Sequence, residues 1–244
     1  MTRLAVAIVA ALAVVGVASA AGVTPLTLTS APTPRFAVPR YDTHGTLPQF
    51  AGADGVNAYL RAVVLDDQRK YAVAARKVVG WLSPSFEGRG LYETGVVPRL
   101  VSGSTEVASA LFPVRALYPG GNDGDRWLSL TVEVPTGRIV EIGDLLRPGG
   151  LARLAAAARA RLLATNACVA RGERSLLAEG TSPTAENFGH FALTPAGLAV
   201  GFKLGQVAGS TCGAAQATVP YAALAPSLSP LGKRLVAGVH APRR

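Results

Sequence analysis

The chain has 244 residues, of which 49% are hydrophobic, 6% aromatic and 16% charged, with 24 Lys and Arg against 15 Asp and Glu for a net charge of +9. It is too apolar for an intrinsically disordered chain. Two cysteines are too few for a disulfide-dense miniprotein, and one long apolar run excludes a polytopic membrane protein.

Arg3 and the unbroken apolar run Leu4 to Val17 are followed by the small residues Ala18-Ser19-Ala20. Fourteen apolar residues fall short of the roughly 20 that span a bilayer, so residues 1–20 read as an export signal cleaved near Ala20, with an uncleaved anchor as the alternative. In an exported protein Cys168 and Cys212 are expected to pair as a structural disulfide. Twenty of the 24 basic residues are Arg, an Ala-, Gly- and Arg-rich usage typical of a GC-rich genome. The positive charge points to an anionic envelope polymer, a membrane surface or an extracellular protein as partner. Nucleic acid is a poor reading, because the sequence shows no basic stripe interleaved with aromatics and no recognised nucleic-acid motif, and export would put the chain in the wrong compartment.

Residues 21–50 carry Pro25, Pro32, Pro34, Pro39 and Pro48, which predicts a linker or an extended lead hugging an edge. Residues 54–79 carry the first helical pattern, with Asp54 as cap, Val56, Tyr59, Leu60, Val63 and Val64 at helical spacing, and Gly80 as terminator. On that helix Asp66 and Asp67, followed by Arg69 and Lys70, read as a solvated face. Strands are predicted at Val96–Val101, Glu106–Leu117 and Trp127–Val134. The turn Pro135-Thr136-Gly137 closes the last of these into a hairpin with Arg138–Ile142.

A second helix runs from Leu151 to about Asn166, with Leu151, Leu154, Ala158 and Leu162 on one face. Phe188–Leu193 and Leu198–Leu204 form a hairpin across Thr194-Pro195-Ala196-Gly197. Ala215–Val219 is a last strand, Pro220–Leu228 a short helical closing segment, and residues 233–244 a basic tail. Strand runs broken by two main helices indicate an α+β fold with mixed or antiparallel strands. The predicted organisation is a signal at 1–20, an extended lead at 21–50, a helix-and-strand half at 51–110 and a C-terminal domain at 111–232.

The order of motifs from Val134-Pro135-Thr136-Gly137-Arg138 through Ile142-Gly143-Asp144-Leu145-Leu146, Asn187-Phe188, Ala192–Leu198, Val200-Gly201-Phe202 and Val219–Leu224 resembles the RsiV-like C-terminal domain, a domain of unknown function. That domain occurs in bacterial lysozyme-sensing anti-sigma ectodomains and in secreted actinobacterial, especially mycobacterial, immunogenic proteins. The resemblance spans about residues 91–232, and Leu47-Pro48-Gln49-Phe50 with Val56-Asn57 resembles the lead-in of the secreted members. It implies a two-lobed α+β fold. Many relatives carry a histidine in the loop that here reads Gly120-Gly121-Asn122-Asp123-Gly124-Asp125.

No Gly-x-Ser-x-Gly, His-Glu-x-x-His or Cys/His constellation is present, so no catalytic residue is assigned. His44, His190 and His240 are scattered and read as surface histidines. Asn122, Asp123 and Asp125 form a candidate binding loop. It is not read as a metal site, because an EF-type loop needs its closing Glu at position 132, which is Val. Asn187 is expected to bond a loop backbone, and no cofactor is implied. The expectation is a secreted, non-enzymatic binding protein of the cell envelope or extracellular space. Its rivals are a lysozyme-binding or inhibitory module, favoured by an acidic patch of Asp123, Asp125 and Glu133, and an envelope hydrolase using Asp123 and Asp144.

Overall fold

The computed structural model describes residues 28–34, 41–81, 90–94, 100–118 and 124–240. The segment 1–20 expected to be a signal, residues 96–99 of the expected strand Val96–Val101, the loop residues Asn122 and Asp123, and the last four residues of the expected basic tail lie outside them. The elements in chain order are β1 (Leu28–Pro32), β2 (Tyr41–Phe50), α1 (Asp54–Trp81), β3 (Gly90–Thr94), β4 (Leu100–Gly103), β5 (Val107–Leu117), β6 (Arg126–Glu133) and β7 (Arg138–Ile139). Then follow α2 (Ile142–Leu145), α3 (Gly150–Thr165), α4 (Ala167–Arg171), α5 (Arg174–Gly180), β8 (Phe191–Thr194), β9 (Gly197–Phe202), β10 (Ala215–Val219), α6 (Tyr221–Leu224) and α7 (Pro230–His240). The fold is α+β, as the strand runs broken by helices imply.

Two sheets organise the molecule. The larger has the order β1-β2-β3-β5-β6-β7, with β4 beside β3 on one edge of β5; the smaller is β10-β9-β8. All pairings are antiparallel except β2 with β3, which run parallel and are joined through α1. Strand β5 is buried on both faces because successive side chains alternate across the sheet. Ala108, Ala110, Phe112 and Val114 face the core under α1, where they meet Phe50, Leu60 and Val64. Leu111 faces the other way, with Trp127, Ala192 and Ala199, into the seam between the sheets. A third cluster, built on Leu154, Ala158 and Leu162 of α3 with Phe188, Leu193, Leu198, Val200 and Phe202, fills the C-terminal lobe.

Polar atoms pin the seam. The Leu193 N–H donates to Ser109 Oγ at 2.9 Å, and Ser109 Oγ lies 2.7 Å from Thr131 Oγ1. Ser102 Oγ donates to the carbonyl of Leu193. Gly201 lets the indole of Trp127 lie against the β9 backbone: a Cβ there would fall 2.3 Å from the ring.

Several elements depart from the sequence expectation. The Pro-rich lead is extended along an edge, as one of its two readings had it, and goes further in supplying both the edge strand β1 and the inner strand β2. Prolines are tolerated because β2 pairs with β1 over Thr46–Phe50 and with β3 only over Tyr41–Gly45, so Pro48 has no ladder to break on its far side. Helix α1 runs through Gly80 to Trp81. Strand β3 carries no strand pattern of its own in the sequence, being five residues with Gly90 and Glu93 among them. Residues 230–240, divided by the sequence reading between the C-terminal domain and the basic tail, form α7, whose Leu235 is fully buried. Strand β5 crosses residue 110 without a break and ties the N-terminal half to the C-terminal domain.

Candidate functional site

The apolar stripe of α1 recurs at Val56, Leu60, Val64, Tyr71 and Ala75. At that spacing Asp67 falls at the margin of the buried side, one turn before Tyr71. Arg126, the first residue of β6, meets it there. Its Nε donates to Asp67 Oδ1 at 2.7 Å and its Nη2 to Oδ2 at 2.5 Å, while Nη1 donates to the carbonyl of Gly124 at 2.7 Å. The Tyr92 hydroxyl from β3 donates to Asp67 Oδ2 at 2.7 Å. One carboxylate thus joins a helix to two strands.

Tyrosines surround this pair. The Arg126 guanidinium carbon lies 5.3 Å from the Tyr71 ring centre and 5.9 Å from that of Tyr92, within cation–π range. Tyr71 stacks on Tyr118 with centroids 4.8 Å apart and planes inclined by 30°, and meets Tyr41 edge-on at 5.8 Å. Above the cluster opens a cleft of about 340 Å³, walled by Lys70, Tyr71 and Ala74 of α1, by Tyr118 after β5, by Gly124, Asp125 and Arg126, and by Lys203 and Leu204 after β9. The exit of β9 is fixed there because the Leu204 N–H donates to the carbonyl of Asp125 at 3.0 Å.

The electrostatics hold the phenols, the guanidinium and Lys70 in their protonated forms. Burial pushes the Tyr71, Tyr92 and Tyr118 phenols up, and raises Tyr41 to about 12. Burial also works against the charge of Arg126, but the hydrogen bonds and charge of Asp67 outweigh it and hold the guanidinium above its usual range. On the rim, Lys70 is held up by its hydrogen bond to Asp66, 2.7 Å away. These groups bond and stack without exchanging protons near neutral pH.

The residues singled out from sequence are dispersed. Asp125 lines the cleft. Cys168 of α4 and Cys212 form the disulfide, and neither lines the cleft. Asp144 is engaged at the start of α2, where its side chain accepts from the Glu141 N–H at 3.0 Å and pairs with Arg138 at 2.7 Å; the Glu141 N–H chiefly holds its carboxyl below the usual range. Glu133 is buried, contributes nothing to a surface acidic patch, and pairs with Arg234 of α7. Asn187 Nδ2 donates to the carbonyls of Glu179 and Ser182, bonding a loop backbone as expected. His190 is half-buried rather than a surface histidine. Burial pulls its pKa down, opposed by Asp67 and assisted by Lys203 and Arg126.

Asp67 is likewise no part of a solvated face: its side chain retains 13% exposure, whereas Asp66 retains 56%. The α1 stripe held the signal for Asp67. Arg126 gave none, because only the fold brings it within reach. No cluster of three or more His, Cys, Asp or Glu able to hold a metal occurs among the described residues. No helix among them is long and apolar enough to cross a membrane.

No family model matches the chain, and no curated protein does. Two solved structures match it along nearly their whole length. One is a DUF3298 family member from Bacteroides fragilis, with 12% identity and a TM-score of 0.58, covering 89% of this chain and 98% of that one. The other is a DUF3298 family protein from Pseudomonas aeruginosa, with 15% identity and a TM-score of 0.53, covering 85% and 96%. The fold is similar to that of DUF3298 proteins. At this identity the likeness extends to the fold alone, and DUF3298 denotes a domain of unknown function.

Proposed function

We propose that this chain is an exported, non-enzymatic protein of RsiV-like type that binds its ligand in the cell envelope or outside the cell, and that the cleft above Asp67 and Arg126 is where it binds. The observation that carries this reading is the pairing state of the cleft. Its carboxylate and guanidinium neutralise each other in fixed geometry, and its phenols are displaced away from neutrality. Such a site is built to position groups and exclude water rather than to move protons. The Cys168–Cys212 disulfide supports an oxidising compartment.

The rival readings have less support. A lysozyme-binding module would rely partly on Glu133, whose charge is buried against Arg234. A hydrolase would use Asp144, whose carboxylate is committed to Glu141 and Arg138 and does not line the cleft.

The test is sedimentation of the purified mature chain with isolated cell envelopes. Saturable retention that Tyr118→Ala weakens, with no soluble fragments released, is the expected result. Release of wall fragments or ester products that stops in Asp125→Asn would defeat the reading.

A further inference from the structure

The C-terminal half of α1 carries a run of exposed cations. Beyond Asp67 the helix holds Arg69, Lys70, Arg76 and Lys77 and no acidic residue. At 100° per residue these four fall within about one third of the helix circumference. In the middle of them stands Val73, which is 56% exposed and one of two large hydrophobic side chains so placed among the described residues. All four cations are exposed as well. The carboxylate beside the stripe, Asp66, is engaged by Lys70. Arg69 to Lys77 spans about 12 Å along the axis. No two of the four stand three or four residues apart, so they do not repel one another strongly along the helix, and as exposed side chains they contribute nothing to the core.

The stripe leads into the cleft. Lys70 belongs to both, and Lys203 stands on the opposite rim. Between them the half-buried Tyr118 presents its ring over Tyr71. A line of cations therefore ends at an aromatic-floored pocket of about 340 Å³, large enough for one ring of a polymer. Charge alone would suit any polyanion. The aromatic floor selects one whose repeat unit presents a ring face, a sugar or a nucleobase, and the export signal read at residues 1–20 favours the sugar. Arg126 is a weaker anion receptor than the stripe, because Asp67 neutralises its charge and Asp67 with the Gly124 carbonyl takes three of its five N–H donors.

We propose that the ligand is an acidic polysaccharide, lying along the Arg69–Lys77 stripe of α1 with one sugar ring stacked on Tyr118 in the cleft. The inference rests on the binding-protein reading and names its ligand class. The carboxylates of the polymer meet Arg69, Arg76 and Lys77, and the ring that enters the cleft sits between Lys70 and Lys203.

The experiment is calorimetric titration of the full mature chain with an oligogalacturonate, at low and physiological salt. A neutral dextran oligomer, inorganic polyphosphate, a single-stranded oligonucleotide and phosphatidylglycerol vesicles serve as comparison probes. Oligonucleotide binding that matches oligogalacturonate overturns the proposal. Oligogalacturonate binds, and its affinity falls with added salt as exposed charges are screened. The triple change Arg69→Gln, Arg76→Gln and Lys77→Gln lowers that affinity about tenfold and flattens the salt dependence. Tyr118→Ala lowers it about fivefold, Tyr118→Phe retains it, and neither alters polyphosphate binding. The three polar substitutions lie on an exposed helix face, so the fold is retained whatever happens at Tyr118.

Equal binding of dextran overturns the proposal. So does polyphosphate or vesicle binding that matches oligogalacturonate and ignores Tyr118. If oligogalacturonate fails to bind while envelope retention persists, the ligand class falls and the binding-protein reading stands.

Discussion

Asp67 and Arg126, 59 residues apart, form a two-pronged ion pair that locks the middle of α1 to the first residue of β6. Their side chains retain 13% and 21% exposure, so removing one partner strands a largely desolvated charge. Breaking a fully buried pair costs about 3–5 kcal/mol, and residual exposure places Asp67→Ala near the lower end, at about 3 kcal/mol. Arg126→Lys keeps the charge but loses the fork, and costs less. Urea denaturation of Asp67→Ala, Arg126→Leu and the double change Asp67→Ala/Arg126→Leu measures the coupling, with Arg126→Lys as the conservative comparison. A loss below about 0.5 kcal/mol in Asp67→Ala, the scale of an exposed pair, refutes the structural role.

The phenols around that pair set an alkaline limit. Burial raises Tyr41 to about 12 from an ordinary 10.0, and raises Tyr71, Tyr92 and Tyr118 in the same direction. A group whose folded pKa lies above its unfolded value stabilises the fold fully below the unfolded pKa. That stability is lost as pH rises through the folded one. Stability therefore holds to about pH 10 and declines steeply between pH 10 and 12. Phenolate absorbance and far-ultraviolet circular dichroism should change together in this range. Tyr92→Phe, which removes one titrating group, shifts the transition upward in pH relative to its own neutral-pH stability. Phenolate formation near pH 10 without unfolding would show that the rings are accessible to hydroxide.

Much of the C-terminal lobe was legible because its signals are local. The strand Ala215–Val219 coincides with β10, the Thr194–Gly197 turn joins β8 to β9, and Leu154, Ala158 and Leu162 form the buried face of α3. The N-terminal strands were less so. β1 and β2 contain prolines that are harmless only because of how their neighbours pair, and pairing is a property of the sheet. The pattern of α7 is masked because Gly232 and Gly238 interrupt it, yet both are buried contact points. The cleft was the least legible, since Asp67, Tyr92, Tyr118 and Arg126 come from four segments and carry no shared motif. Asp125, the one of the three candidate loop residues that is among the described residues, lines it.

The disulfide is a separate source of stability. Cys168 and Cys212 are separated by 44 positions, and closing a loop of that size in the unfolded chain is worth roughly 4 kcal/mol by chain-entropy arithmetic. The double change Cys168→Ser/Cys212→Ser should lower the unfolding free energy by about 2–4 kcal/mol without altering ligand retention, because neither cysteine lines the cleft. The comparison is chemical denaturation with and without reductant. Equal stability of reduced and oxidised protein would mean that α4 and the 210–212 turn are held by packing alone.

The attachment of α7 gives the sharpest sign test. Gly232 lies against the end of α2, where a Cβ would meet the Leu145 carbonyl oxygen at 2.2 Å. That oxygen already accepts the Ser229 N–H at 2.9 Å, and Ser229 Oγ donates to the neighbouring Asp144 carbonyl at 2.6 Å. The backbone on both sides is therefore tied, so relief requires α7 to move. Moving it exposes Leu235 and pulls Arg234 from buried Glu133. Gly232→Ala should cost about 2 kcal/mol or more, in the range of overpacking a fixed core. At Gly143, within α2, a Cβ would have nothing within 4 Å of it. There the intrinsic preference of helices for Ala over Gly acts alone and stabilises by up to about 1 kcal/mol. Opposite signs for the two substitutions in urea denaturation are the expected result. If both stabilise, α7 is not seated on the Leu145 backbone, and its residues behave as the basic tail that their charge first implied.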